Sequence, residues 1–186
     1  MSLFTHPAFF FVLALLYVGI RLYMHRRKAR TQAVGQPSLV DNPPPRPDFA
    51  LTRESLEGIG TMELPSGPEW ARTPAGFYHA QLGMSLVIQT QIEGFANDTA
   101  SYLASYDLVN QRDALNWQRG PEQLGQVAGV VAARTGGRFN NGTAMVTRDY
   151  LFFASFTTVL LQSRVPAEHA QALLITDYLA STFQPK

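Results

Sequence analysis

There is no cysteine among the 186 residues of this chain. That excludes disulfides, thiolate metal ligands and a cysteine nucleophile at once, and it removes redox chemistry as a clue to compartment. Histidine is scarce too. Only His6, His25, His79 and His169 occur, and no two of them share a ligand spacing such as His-x-x-x-His, so a metal site is not expected. No serine stands in a Gly-x-Ser-x-Gly elbow, and Gly120, Gly125, Gly129, Gly136 and Gly137 form neither a phosphate loop nor a dinucleotide fingerprint. The acidic residues are scattered; Asp107 and Asp113 read as a solvated helix face. No catalytic residue, cofactor or metal is therefore assigned.

Charge is also absent where it would be informative. Residues 1–20 carry no charged side chain and include the apolar run Ala8–Ile20, after which come Arg21, Arg26, Arg27, Lys28 and Arg30. A bilayer core about 30 Å thick needs roughly 20 apolar residues as a helix, so residues 4–24 are expected to form a single transmembrane helix. The positive charges follow the apolar stretch and no Ala-x-Ala-like site is present, which favours an uncleaved anchor over a signal peptide. Basic flanks tend to stay cytoplasmic. The expectation is a single-pass protein of a bacterial inner membrane with a cytoplasmic domain, an exported periplasmic domain being the alternative.

The net charge of +1 hides an asymmetry. From Pro47 onward there are 9 Arg and Lys against 13 Asp and Glu, 9 − 13 = −4. A nucleic-acid-binding domain would carry its basic residues on the folded part, so nucleic acid is not an expected partner. Three regions follow: residues 1–30, an anchor with a basic flank; 31–50, a linker rich in proline (Asn42-Pro-Pro-Pro-Arg-Pro47) and hence extended; and 51–186, one domain's worth of chain.

Within that domain, Gly60–Leu64, Gly76–Leu82 and Met84–Ile92 read as strands. The last is the clearest, with Met84, Leu86, Ile88 and Ile92 on one face and Ser85, Gln89 and Gln91 on the other, a pattern suited to an antiparallel sheet. Asn97 or Asp98 caps a helix carrying Tyr102, Leu103, Tyr106 and Val109. Leu124–Phe139 reads as one strand with a bulge or bend at Gly136-Gly137, Asn141-Gly142 as a tight turn, and Thr143–Thr147 as its return. Tyr150–Ser163, too short to cross a bilayer, reads as a buried central strand. Pro166 opens a last helix with Ala170, Leu174 and Tyr178 on one side. The fold class is α+β: an N-terminal transmembrane helix, then an antiparallel sheet covered by two main helices.

The binding candidates are few. Arg134 and Arg138 beside Gly136-Gly137 form a positive loop on a negative domain, and with Trp117 and Phe139 they make the expected partner-facing spot. Trp70, Phe77, Tyr78 and Phe95 fit a core as well as a surface. Asn97-Asp-Thr99 and Asn141-Gly-Thr143 match glycosylation acceptors, but cap and turn roles account for both.

The segment Thr61-Met-Glu-Leu-Pro-Ser-Gly-Pro-Glu-Trp70 resembles the opening strand and Pro…Trp turn of the PsbP-like superfamily, which includes DcrB-like proteins and EagR-type chaperones of type VI secretion. The later order of elements and the ending Leu179-Ala-Ser-Thr-Phe183 are similar to that group, over about residues 59–184. The resemblance implies an antiparallel sheet with helices and a non-catalytic binding or assembly role, and it brings no catalytic residues. The expected function is a membrane-anchored module that binds another protein, as an accessory or assembly factor of an envelope complex. The alternatives are an immunity protein against a type VI or similar interbacterial toxin, and an envelope enzyme acting on lipid or cell wall through His79 or His169.

Overall fold

The computed structural model describes residues 17, 35–56, 59–92, 110–111, 114–153 and 157–186. In chain order the strands are β1 (Leu51–Leu56), β2 (Gly60–Pro65), β3 (Trp70–Thr73), β4 (Gly76–His79), β5 (Met84–Ile92), β6 (Gln118–Arg119), β7 (Gln123–Val127), β8 (Val130–Asn140), β9 (Ala144–Phe153) and β10 (Thr157–Pro166). A 3-10 stretch, Ala167–Ala172, leads into helix α1 (Leu173–Ser181), and β11 (Gln184–Pro185) closes the chain. The large sheet runs β3-β4-β5-β10-β9-β8-β6, with β7 also paired to β8, and a small sheet runs β1-β2-β11. Every strand pairing in both is antiparallel.

Period-2 alternation decides which face each strand buries. On β5, Met84 and Leu86 are buried and Ile88 packs against the same core. Register carries that face across to Leu161 and Val159 of β10, and on to Tyr150 and Phe152 of β9. Helix α1 and the small sheet cover it, with Leu179, Ala180, Phe183, Met62 and Leu64 all buried. The Phe152 and Phe183 rings meet at 4.7 Å between centroids. Each such side chain contributes about 1.5–3 kcal/mol when removed from water. On the opposite face Ala133, Leu151 and Leu160 are buried beside Trp117 and Phe153.

Several expectations are corrected. Among the described residues the sheet carries one short α-helix, not two main ones, and no helix is long and apolar enough to cross a membrane. That finding leaves the single transmembrane helix expected over residues 4–24, and with it the inner-membrane placement, without support. Hydropathy alone supported both. Residues 1–16 and 18–34 lie outside the described set, with Tyr17 between them in helical backbone. The helix expected from Asp98 also falls largely outside it, only Asn110 and Gln111 being described as helical.

The strand expected over Leu124–Phe139 is a hairpin. Ala128 (φ 50°) and Gly129 (φ 80°) turn between β7 and β8, and positive φ at both central residues matches the right-handed strand twist. The single strand expected over Tyr150–Ser163 is likewise the β9–β10 hairpin, Phe153 pairing with Thr158. Apolar residues on both sides of that break hide it from periodicity. Its two strands do occupy the middle of the sheet.

Gly136 and Gly137 form no bulge: they pair in continuous register with Arg148 and Thr147. Close approach is what they allow, since a Cβ on Gly137 would lie 2.2 Å from the Trp117 ring. Helix α1 also turns the other way from the expected stripe. Leu173, Thr176, Asp177, Leu179 and Ala180 point inward, while Leu174 is 51% exposed. Two inward residues are polar, so the amphipathic pattern misleads.

Residues 36–40 cross the outer edge of β7. Gln126 N donates to Pro37 O at 3.0 Å, and Leu39 N donates to Gln126 O at 2.9 Å. Leu39, Val40 and Phe49 pack against the main core.

Gly137→Ala is expected to cost about 1–3 kcal/mol, the usual penalty for overpacking, and to displace the Trp117 ring. Urea unfolding read by tryptophan fluorescence measures both, and an unchanged midpoint would refute the packing account.

Candidate functional site

Strands β6 and β7 pair with β8 at different places. β7 runs alongside Val130 to Arg134, and β6 alongside Gly137 and Arg138. Between them Gly120 N donates to Gly136 O at 2.8 Å. This step in the sheet edge leaves a cleft of about 310 Å³ beside Thr135 and Gly136, with Gly120, Pro121 and Gln123 on its rim.

Three arginines line it: Arg134, Arg138 and Arg148. Alternation puts Arg134, Gly136 and Arg138 on one face of β8, and register places Arg148 of β9 directly opposite Gly136. All three guanidinium stems therefore rise from one sheet face, around a position that has no side chain of its own. The arrangement concentrates positive charge on a domain whose balance is negative.

Arg148 is compensated. Its Nη1 lies 3.2 Å from Asp177 Oδ1 and 3.3 Å from Oδ2, and Tyr150 Oη donates to Asp177 Oδ1 at 2.8 Å. Tyr150 is fully buried. Burial pushes its phenol well above the ordinary value of 10.0, the Asp177 charge and hydrogen bond push it further, and Arg134 opposes them. Arg134 donates to Gln123 Oε1, a neutral partner. Among the described residues, neither Arg134 nor the exposed Arg138 pairs with a carboxylate. Thr135 also borders the cleft, but alternation sends its side chain to the face opposite Arg134 and Arg138, where its Oγ1 is buried with no hydrogen-bond partner among the described residues.

The residues singled out in the sequence thus separate by face. Arg134 and Arg138 share the cleft. Trp117 and Phe139 lie on the other side of β8, their rings 6.4 Å apart, with Phe139 only 7% exposed and the Arg164 guanidinium 5.7 Å over it. Sequence reasoning missed Arg148, Asp177 and Tyr150, because it took Tyr150 into a single apolar strand and stacked the last helix on Ala170, Leu174 and Tyr178. The alternation Val146, Arg148, Tyr150, Phe152 was the available signal.

The histidines sit elsewhere. His79 is 8% exposed, accepts from Leu82 N at 3.3 Å through Nδ1 and meets the Trp70 ring edge-on at 5.0 Å. It is a satisfied core residue rather than one on a wet face. His169 lies 3.8 Å from Glu168. Among the described residues no group of three or more His, Asp or Glu is arranged to hold a metal ion.

No family model matches the chain, and no curated protein sequence matches it. Solved structures do. The solution structure of cyanobacterial PsbP (CyanoP) from Synechocystis sp. superposes with a TM-score of 0.56 at 12% identity, covering 77% of this chain and 96% of that one. The fold is PsbP-like. PA94 of Pseudomonas aeruginosa, a protein of unknown function, gives a TM-score of 0.50 at 12% identity and covers 73% of this chain and 97% of its own. LpqN of Mycobacterium tuberculosis, involved in cell envelope biogenesis, gives 0.48 at 11%, covering 81% and 99%. At such identities the likeness establishes the fold and nothing finer, and it does not single out the DcrB-like or EagR-type branches of the resemblance.

Asp177→Asn removes the charge that binds Arg148 and raises Tyr150. The Tyr150 titration, followed by absorbance of the phenolate, is expected to move downward while burial keeps it above 10.0. A phenol raised by folding stabilises the protein fully below its unfolded value and loses that contribution as pH rises beyond it. Stability should therefore fall above pH 10, over a narrower pH range and by less in total in the variant. At neutral pH the variant should lose about 2 kcal/mol, the scale of a hydrogen bond to a charged group. An unmoved titration would refute the coupling.

Proposed function

We propose that this chain is a non-enzymatic accessory or assembly module that binds another protein, and that the arginine cleft beside β8 is the surface it uses. The observation that carries this reading is the concentration of charge. A domain with a balance of −4 from Pro47 onward gathers Arg134, Arg138 and Arg148 into one cleft, and only Arg148 has a carboxylate partner there among the described residues. Guanidinium groups are weakly hydrated and hold planar donors in a fixed fork, which suits them to interfaces.

The lining favours binding over turnover. It offers hydrogen-bond donors, an amide and glycine backbone, and the hydroxyl of Thr147, which donates to Asp149, belongs to the opposite face of the sheet. Rigid placement supports the same reading. Arg134, Arg138 and Arg148 all stand on paired strands rather than on loops, so little order remains to be imposed when a partner arrives. The PsbP-like fold is compatible with an accessory role.

The test places a benzoylphenylalanine photocrosslinker at Gln118, which is exposed and pairs with Arg138, and a control at exposed Tyr78 on β4, on the far side of the sheet. In cells a discrete protein adduct is expected from position 118 and not from 78. Equal labelling at both positions, or none at 118, overturns the reading.

A further inference from the structure

The cleft already shows what one of its arginines does with a carboxylate. Asp177 places both oxygens within 3.3 Å of Arg148 Nη1. Arg134 and Arg138 rise from the same sheet face, four residues apart on β8, and have no carboxylate partner among the described residues. We infer that the cleft receives an acidic peptide segment of a partner protein, whose carboxylates pair with Arg134 and Arg138 as Asp177 pairs with Arg148. The inference rests on the protein-binding reading of the same cleft and adds the chemistry of what binds.

Three features select a peptide over a free ion. A volume of about 310 Å³ is the share of roughly ten liquid waters, far more than one inorganic anion fills. The two arginines stand about 13 Å apart along the strand, at about 3.3 Å per residue. One small anion does not span that distance, whereas residues i and i+4 on one side of an extended segment, about 13 Å apart, do. Finally, the balance of the domain is negative outside the cleft. An acidic segment is repelled by the rest of the surface and attracted only here, so the same charges that bind it also set where it lands.

The probe is a fluorescein-labelled Glu-Ser-Glu-Ser-Glu peptide, followed by fluorescence anisotropy against the full chain. Saturable binding is expected, weakening as salt rises from about 50 to 200 mM, with no binding of Gln-Ser-Gln-Ser-Gln. Arg138→Gln and Arg134→Gln should each weaken it about tenfold, the scale of one charge-assisted hydrogen bond. Arg72→Gln should not, because Arg72 pairs with Glu54 outside the cleft. Arg138 is exposed, so its variant tests binding without threatening the fold, and near-ultraviolet circular dichroism checks that.

Equal affinity of Arg138→Gln and the unaltered chain overturns the inference. So does inorganic phosphate displacing the peptide at concentrations below the peptide's own Kd, which would make the cleft a small-oxyanion site. If the peptide fails to bind while the crosslinker at Gln118 still captures a protein, the acidic chemistry falls and the protein-binding reading stands. If both fail, both fall.

Discussion

Asp177 ties the helix to the sheet. It projects from the inward face of α1 and accepts from Arg148 and from the buried Tyr150, both on β9. The adjacent Thr176 donates to Ser163, which in turn donates to the Arg148 carbonyl. A helix that buries a carboxylate and a hydroxyl is expensive to dock in any other position, because unpaired polar groups in a dry interface cost several kcal/mol. Apolar contacts from Leu173, Leu179 and Ala180 supply adhesion. The polar set supplies register, admitting one rotation and one height of the helix on the strands.

The same bond organises the cleft. Arg148 is held toward α1, so it stays beside Gly136 and leaves the space between Arg134 and Arg138 open. The opening itself comes from the sheet edge, where β6 and β7 attach to one long strand at separate places. Core packing and the cleft are thus consequences of one strand pair, β8 and β9. Glycines at 136 and 137 serve both ends: a side chain at 137 would strike Trp117, and one at 136 would strike the Thr147 carbonyl.

Local pattern made part of this legible. β5 was readable to its ends, because Met84, Leu86 and Ile88 share one face while Ser85 and Gln89 share the other. The antiparallel sheet followed from that alternation, whereas Arg134 and Arg138 were read together only as a positive loop beside Gly136-Gly137, and they stand on a paired strand. What was not legible depended on partners distant in sequence. Arg148 enters the cleft only through strand register, and Asp177 looks solvent-facing until its partners on β9 are known. The Ala128-Gly129 turn escaped notice because a residue with a Cβ seldom adopts positive φ. The β9–β10 break escaped because apolar residues continue across it. The expected membrane helix rested on hydropathy alone, and apart from Tyr17 it falls outside the described residues.

The strap formed by residues 36–40 has a consequence for association. β7 would otherwise present a free row of amides and carbonyls, a template onto which a second chain could add. Residues 36–40 occupy that row, bonding Gln126 on both its backbone groups. The strap is a poor template in turn: Pro37 lacks the N–H that a further strand would need, as do Pro43, Pro44, Pro45 and Pro47 in the segment that follows it. Sheet growth therefore stops at this side of the molecule, which favours remaining dispersed at high concentration over polymerising edge to edge.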